Sequence, residues 1–282
     1  MATGSNFDFL DEYSRNARLK PALLASLPVA LIVLGYGLKS SVLLGALFGP
    51  LATVGFTYLL AVFTRDLGVR KQVELFRAWG GKPSVAKLRH RDTSLNAHTR
   101  ARYHARAAEA LGMPMPTAAE QQANPAAADS LYEAYSNFLL ERTRDTKRFR
   151  LLFDELIGYG FRRNLLAIRP LGLPLSITCA LIEIGSCLRS FHLSGRFEID
   201  SAIFAGLDLF LAYCWWRIVS PDWVRRAADA YAERLLAASE NLPPPKIAAA
   251  SEVKPPEAPK ARRPRKAAAA AVREAEDSRV PE

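Results

Sequence analysis

The sequence predicts an all-α integral membrane protein with four transmembrane helices in two hairpins. A helical cytoplasmic domain is inserted between the hairpins, and a disordered basic tail ends the chain. Two uncharged apolar runs, residues 21–38 and 40–63, are separated by Lys39 alone. Each supplies the roughly 20 residues that a helix needs to cross a hydrocarbon core about 30 Å thick. A weaker pair follows at residues 170–188 and 201–216, where each run carries a single acid.

These blocks also set the expected domain boundaries. An acidic segment precedes the first apolar run and a second run follows it at once, which favours a retained anchor over a cleaved signal peptide. We divide the chain into a cytoplasmic N-terminal segment (1–20), transmembrane hairpin 1 (21–63), a basic helical cytoplasmic domain (64–169), transmembrane hairpin 2 (170–219), an amphipathic juxtamembrane helix (220–240) and a disordered tail rich in Pro, Ala, Lys and Arg (241–282).

The distribution of positive charge predicts the orientation. All but three of the 38 Lys and Arg residues lie in the two terminal regions and in the domain between the hairpins. The exceptions, Lys39, Arg189 and Arg196, lie in the hairpin turns. Because cytoplasmic flanks of membrane helices carry the excess of Lys and Arg, we expect both termini and the connecting domain in the cytoplasm. The alanine- and arginine-rich composition is typical of a multi-pass bacterial inner-membrane protein.

Glu183 and Asp208 are the intramembrane polar groups of this interpretation. A carboxylate in hydrocarbon costs at least ~2.5 kcal/mol, so it normally faces a partner or water. Helical rise counted from opposite faces places the two acids within about one turn of each other in depth. We expect them to share a proton or hold a cation. In the alternative, the third span starts earlier and Glu183 becomes a solvated acid at the outer interface.

Small residues predict a helix-packing face on the second span. Gly45, Gly49 and Thr53 recur at intervals of four, which lets a neighbouring backbone approach closely, although glycine is common in membrane helices in any case. All three cysteines of the chain lie in apolar runs without CxxC spacing. They are therefore expected to be free, buried thiols.

Between the hairpins the apolar periodicity is helical throughout. The second span is expected to continue as a helix to Trp79, where two glycines and a proline end it. Further helices are predicted over residues 94–111 and 125–149, the latter capped by Asn124. The basic sequence over residues 142–163 predicts a helix docked at the lipid interface before the third span.

Clustered cations make an anion site the main binding hypothesis for the cytoplasmic domain. Guanidinium groups donate paired hydrogen bonds that suit phosphates and carboxylates. The alternatives are that the cations pair with Asp92 and Glu109 or lie against lipid headgroups. The candidate anion-binding residues are His98, Arg100, Arg102, Arg106, Arg162 and Arg163.

No catalytic motif accompanies these clusters, so we expect no enzyme activity and no cofactor. His90, Arg91 and Asp92 match the kinase triplet, but the glycine-rich loop and the metal-binding DFG are missing. Gly81 and Lys82 lack the remainder of a phosphate-binding loop. The histidines of this region share no single helix face, so no metal site is predicted.

The predicted tail adds a further cationic cluster, built from Lys260, Arg262, Arg263, Arg265 and Lys266. Without apolar periodicity it cannot bury enough surface to fold. It would bind anionic lipid or nucleic acid by counterion release, or act only as a solubilising tail.

Three function classes follow from these features. The first is a membrane interaction or sensor protein whose basic domain binds an anionic partner, such as a lipid headgroup, a nucleotide or a nucleic acid. The second is an ion or proton channel or carrier that uses Glu183 and Asp208 in a bundle completed by homo-oligomerisation. The third is a defence effector that permeabilises the membrane when an anion binds the arginine cluster.

Overall fold

The computed structural model describes residues 11–39 and 43–243, with no side-chain description for residue 35 and residues 37–50. Within these ranges the chain forms helices and no strands. The helices are α1 (Glu12–Ser14), a π-helical turn (Arg15–Leu19), α2 (Lys20–Lys39), α3 (Leu43–Ala78), α4 (Pro83–Leu88), α5 (Ala97–Leu111), α6 (Ala118–Ala123), α7 (Pro125–Arg142), α8 (Arg150–Ser194), α9 (Ile199–Arg217), α10 (Pro221–Ala238) and a 3-10 turn (Ser239–Asn241).

Three helical segments of the described chain are long and apolar enough to cross a membrane: Glu12–Leu34, Arg150–Ser194 and Ile199–Arg217. Arg150–Ser194 and Ile199–Arg217 contain the third and fourth predicted spans, and Glu12–Leu34 covers residues 21–34 of the first, which confirms the all-helical, membrane-compatible character of the chain. The second predicted span coincides with the start of α3, where residues 40–42 lie outside the described residues. The second span and the arrangement of four spans in two hairpins therefore stay predictions, as does the tail, which lies outside the described residues from Pro244 onward.

Helix α8 is the centre of a bundle in which it packs against α2, α3 and α9, while α2 also packs along α3 and α9. The polarity of this bundle is the reverse of that in a water-soluble protein. Leu181 and Phe210 are each 62% exposed, whereas Glu183 and Asp208 are 1% and 0% exposed. Between α2 and α3, the hydroxyl of Thr57 donates a 2.7 Å hydrogen bond to that of Ser26. Lipid is the surrounding that suits an apolar exterior and a small, polar interior.

The remaining helices form a core of ordinary polarity. Leu88 of α4, Tyr132 and Leu139 of α7, and Leu235 and Leu236 of α10 are all almost completely buried. The first half of α10 packs into the core at the base of the bundle, and its second half packs into this distal core. Helix α10 therefore joins the two cores directly.

Two predicted boundaries were wrong. The helix predicted over residues 125–149 ends at Arg142, because the Asp145 carboxylate accepts the backbone N–H groups of Lys147 and Arg148 and turns the chain. The next helix, α8, then runs for 45 residues and absorbs both the predicted interfacial helix and the third span. Pro170 lies inside it without ending it, as prolines commonly do in membrane helices packed against neighbours. The bounds of the other predicted helices agree with the structure within three residues. Helix α5, predicted from residue 94, begins at Ala97 after the Asn96 cap.

Gly172 allows α8 and α9 to approach each other. A Cβ atom at Gly172 would lie 2.4 Å from the Trp215 ring, whereas one at Gly185 of the same helix would meet nothing within 4 Å. We expect Gly172→Ala to destabilise the protein by about 1–3 kcal/mol through overpacking. The matched control, Gly185→Ala, should leave the melting temperature in detergent within a degree or two of wild type. Equal melting temperatures for both variants would contradict this packing.

Candidate functional site

Two carboxylates, Glu183 of α8 and Asp208 of α9, lie in the interface between these helices. Both oxygens of Asp208 and Oε1 of Glu183 are buried without a hydrogen-bond partner among the described residues. The two groups lie close enough to interact electrostatically with each other, and Cys179 lies within range of both. The structure thus brings the two acids together inside the helix pair, and Glu183 is not a solvated acid at the surface of the bundle.

Helix geometry explains how the two acids meet. Asp208 lies nine residues from Arg217 and Glu183 lies fourteen residues from Arg169, which corresponds to roughly 13 Å and 21 Å above the basic ends of their helices. Side chains on a helix lean toward its N-terminus. Since α8 and α9 are antiparallel, the Glu183 side chain leans toward the basic end and the Asp208 side chain leans away from it. These two directions bring the carboxylates of Glu183 and Asp208 closer to the same level along the helix axes.

The surroundings of the pair limit the ligand that it can hold. The nearby hydroxyl of Ser176 donates to the Gly172 carbonyl at 2.9 Å, and Cys179 and Cys187 are free buried thiols, as predicted. No group of three or more metal-ligating side chains occurs among the described residues. Two nearby carboxylates that are buried away from water repel each other when both are charged, which favours a proton on one of them. Proton binding is thus the chemistry that this arrangement supports.

A polar joint, formed by Ala17, Gly68 and Asn164, ties three helical segments together at the base of the bundle. Pro21 has no N–H to complete an α-helical bond with the Ala17 carbonyl, and Asn164 Nδ2 donates to that carbonyl at 2.6 Å. Asn164 is fully buried. A Cβ atom at Gly68 would lie 1.9 Å from Asn164 Oδ1, so only glycine fits opposite the amide.

Arg162 and Arg163, two of the anion-binding candidates, lie beside this joint. The Arg163 guanidinium donates to Asn164 Oδ1 at 3.1 and 3.2 Å and to Gln72 Oε1, and it lies 5.5 Å from the centre of the Tyr159 ring. Arg162 lies over the Trp223 ring. Neither arginine pairs with a carboxylate among the described residues.

The candidates on α5 have partners of the kind that the alternative hypothesis named. Arg106 pairs with Glu109 at 3.1 Å, and Arg100 donates to the main-chain carbonyl of Asp92. Arg102 pairs with Glu240 at 3.2 Å, a contact that no local pattern indicated. With His98 exposed, this helix face presents paired cations rather than an open cationic cluster.

Two of the helix-packing candidates lie in the part of α3 whose side-chain surroundings are not described. No side-chain description covers Gly45 and Gly49. The Thr53 carbonyl accepts a 2.9 Å hydrogen bond from the Thr57 hydroxyl. Thr57 also contacts Ser26, and this polar contact between α2 and α3 is not indicated by the pattern of small residues.

The distal core contains buried ionic and aromatic contacts that the sequence did not reveal. Arg89 makes a two-pronged contact with Asp129 at 2.7 and 2.8 Å, and the nearly buried Lys87 contacts Glu233 at 2.8 Å. These partners lie 40 and 146 residues apart in the chain, so no spacing rule connects them. The contacts hold α4 against α7 and α10.

No protein-family model, curated protein or solved structure matches this chain.

The distal core should respond to acid through His104. Its ring lies edge-on to His90 with 4.8 Å between centroids, and its Nε2 donates to the Leu88 carbonyl at 2.7 Å. Burial, aided by the charge of Arg100, lowers the pKa of His104 below its ordinary value of 6.5. As the pH falls below 6.5, His104 of the unfolded chain takes up a proton that the folded state resists, so the free energy of unfolding decreases.

We expect the melting temperature to fall less between pH 7.5 and pH 5.5 in His104→Gln than in wild type. The control, His98→Gln, changes an exposed histidine and should keep the full pH dependence. The same acid response in all three proteins would exclude His104 as its source.

Proposed function

We propose that this protein is a four-span bacterial inner-membrane interaction or sensor protein. In this proposal α2, the first part of α3, the second part of α8 and α9 cross the membrane as two hairpins. Both termini and the basic helical domain lie in the cytoplasm, where the protein binds an anionic partner at the membrane surface. The proposal rests on one observation, the common level of the cations that flank the four helices.

This common level follows from the contacts between the helices. Relative to the polar joint, Lys20 and Arg65 lie three residues toward the bundle, or roughly 4.5 Å, and Arg169 lies five residues or roughly 7.5 Å. Arg217 lies two residues below Trp215, which contacts Gly172, and this places it at roughly 9 Å. We call these four residues the basic layer. The range of levels that these four residues cover along the bundle axis matches the headgroup region, which is about 5–7 Å thick on each side of the hydrocarbon core.

Anionic phospholipid is the partner that best fits the basic layer. Lys20, Arg65 and Arg217 are exposed and form no ion pair with any described carboxylate. Each cation near an anionic leaflet contributes about 1 kcal/mol. The α5 arginines, in contrast, belong to a helix of the distal core and lie outside the basic layer, which makes them weaker candidates for the same role.

The orientation can be tested with an impermeant maleimide on a background that lacks the native cysteines. We expect Ser194→Cys to react in intact spheroplasts and Glu120→Cys to react only after lysis. Ser194 is the last residue of α8, whereas Glu120 lies on α6, which packs against α7 of the distal core. Reaction of Glu120→Cys in intact spheroplasts would contradict the proposed topology.

Lipid binding can be tested by native mass spectrometry of detergent-solubilised protein titrated with phosphatidylglycerol or phosphatidylcholine. Replacing Lys20, Arg65 and Arg217 together by Gln should weaken phosphatidylglycerol retention by about two orders of magnitude, the equivalent of about 3 kcal/mol. The matched control, Arg102→Gln with Arg106→Gln, should change it far less. Preferential loss in the control variant would place the anionic partner on α5 instead.

A second candidate function, a proton channel or carrier, is favoured by the unpartnered Glu183 and Asp208 pair. A proton-carrying site needs ionisable groups inside the bundle and away from lipid, and this pair meets that description. In reconstituted vesicles with a dye that reports internal pH, wild type should then conduct protons, and Glu183→Gln or Asp208→Asn should abolish the flux. An absence of flux in wild type, or equal flux in all three proteins, would exclude this function.

A further inference from the structure

A cleft with a volume of about 240 Å³ lies beside the polar joint, between α3, α4, α7, α8 and α10. Its polar lining comes from Arg163, Lys82 and Gln72 together with serine and tyrosine hydroxyls. Its apolar lining includes Phe76 and Leu156. The cleft is smaller than the pockets of about 300 Å³ or more that hold drug-sized ligands. Its size therefore fits a small polar group with a short apolar attachment.

The charge in this cleft is unbalanced. Arg163 is partly buried, and the groups that accept its hydrogen bonds are the uncharged amides of Gln72 and Asn164. Partly buried cations are normally paired. The second cation, Lys82, contacts Glu133 at 2.5 Å, but both side chains of this pair are substantially exposed. Because exposed ion pairs contribute little, an incoming anion can recruit Lys82 at small cost.

The hydroxyl groups of the lining point to a tetrahedral anion. Ser84 and Ser136 contact each other at 2.8 Å, and the Tyr159 and Tyr231 rings stack with 6.3 Å between centroids. Burial raises the pKa of Tyr231 to about 12, so its hydroxyl remains a donor at neutral pH. Phosphate accepts hydrogen bonds from several directions at once, whereas a carboxylate accepts them in one plane.

We propose that this cleft binds the phosphate group of a phosphate ester, with Arg163 and Lys82 as its charged contacts. The ester portion of a soluble ester would pack against Phe76 and Leu156, which line the part of the cleft farther from the bundle. This inference deepens the proposed function, on which it rests, by naming the ligand class of the anionic partner. The phosphate belongs either to a lipid headgroup, since the basic layer lies roughly one to two helical turns away, or to a soluble phosphate ester.

The test measures binding by isothermal titration calorimetry to the full-length protein in detergent. The probes are dihexanoyl phosphatidic acid, glycerol 3-phosphate and, as a zwitterionic control, dihexanoyl phosphatidylcholine. Arg163→Gln should weaken binding of the phosphate probe by about 10- to 100-fold, the range for a hydrogen bond to a charged group. The neighbouring Arg162→Gln, which removes a cation stacked on Trp223 outside the cleft lining, should change it by less than about threefold.

A second variant separates binding from folding, because Arg163 also contacts the polar joint. Lys82→Gln alters a side chain that is 38% exposed and should weaken binding of the same probe severalfold at an unchanged melting temperature. Binding of phosphatidic acid alone identifies a lipid headgroup, and binding of glycerol 3-phosphate identifies a soluble ester. Either result supports the proposal when Arg163→Gln and Lys82→Gln both weaken binding of that probe.

Two outcomes would overturn the cleft proposal. One is the absence of binding of both phosphate probes to wild type, and the other is unchanged binding in Arg163→Gln and Lys82→Gln. Phosphatidylglycerol retention through Lys20, Arg65 and Arg217 is measured independently. If this retention is observed while the cleft binds no phosphate probe, the proposed membrane-surface function stands and the cleft proposal fails. If only this retention is absent, the cleft proposal stands.

Discussion

Helix α8 passes through two different surroundings, and the remaining architecture depends on this. Its first part carries Leu152, Leu165 and Ile168 on the buried side, as a helix in water requires. Its second part buries Ser176 and Glu183, as a helix in a membrane bundle does. A single helix thus contributes buried residues to both cores.

The polar joint lies where the two surroundings meet. Water can no longer serve every backbone group there, and the π-helical turn before Pro21 leaves the Ala17 carbonyl in need of a donor. Asn164 supplies that donor, and Gly68 leaves room for its amide. Arg163 is held by the same amide, so the cleft and the joint share one hydrogen-bond network. An anion in the cleft would therefore act directly on the contact that sets the spacing of α2, α3 and α8.

Helix α10 provides a second connection between the membrane and the distal domain. Trp223 contacts Arg162 and Phe161 at the base of the bundle, and Glu233 contacts Lys87 in the distal core. The same helix contributes Tyr231 to the cleft lining. Helices α8 and α10 pack against each other between the two cores.

The sequence by itself determined the helical class, the apolar segments and the identity of the two acids that lie buried between α8 and α9. It could do so because each depends on local composition and on the fixed rise of a helix. The Asn124 cap also placed the start of α7 correctly, whereas the turn after Arg142 was missed because a short side-chain contact at Asp145 decides it. Only the tertiary structure decided which charges are paired. Glu240 pairs with Arg102, which lies 138 positions earlier in the chain, while Arg163 donates to the uncharged Gln72 amide 91 positions away. No periodicity records contacts between residues so distant in the chain.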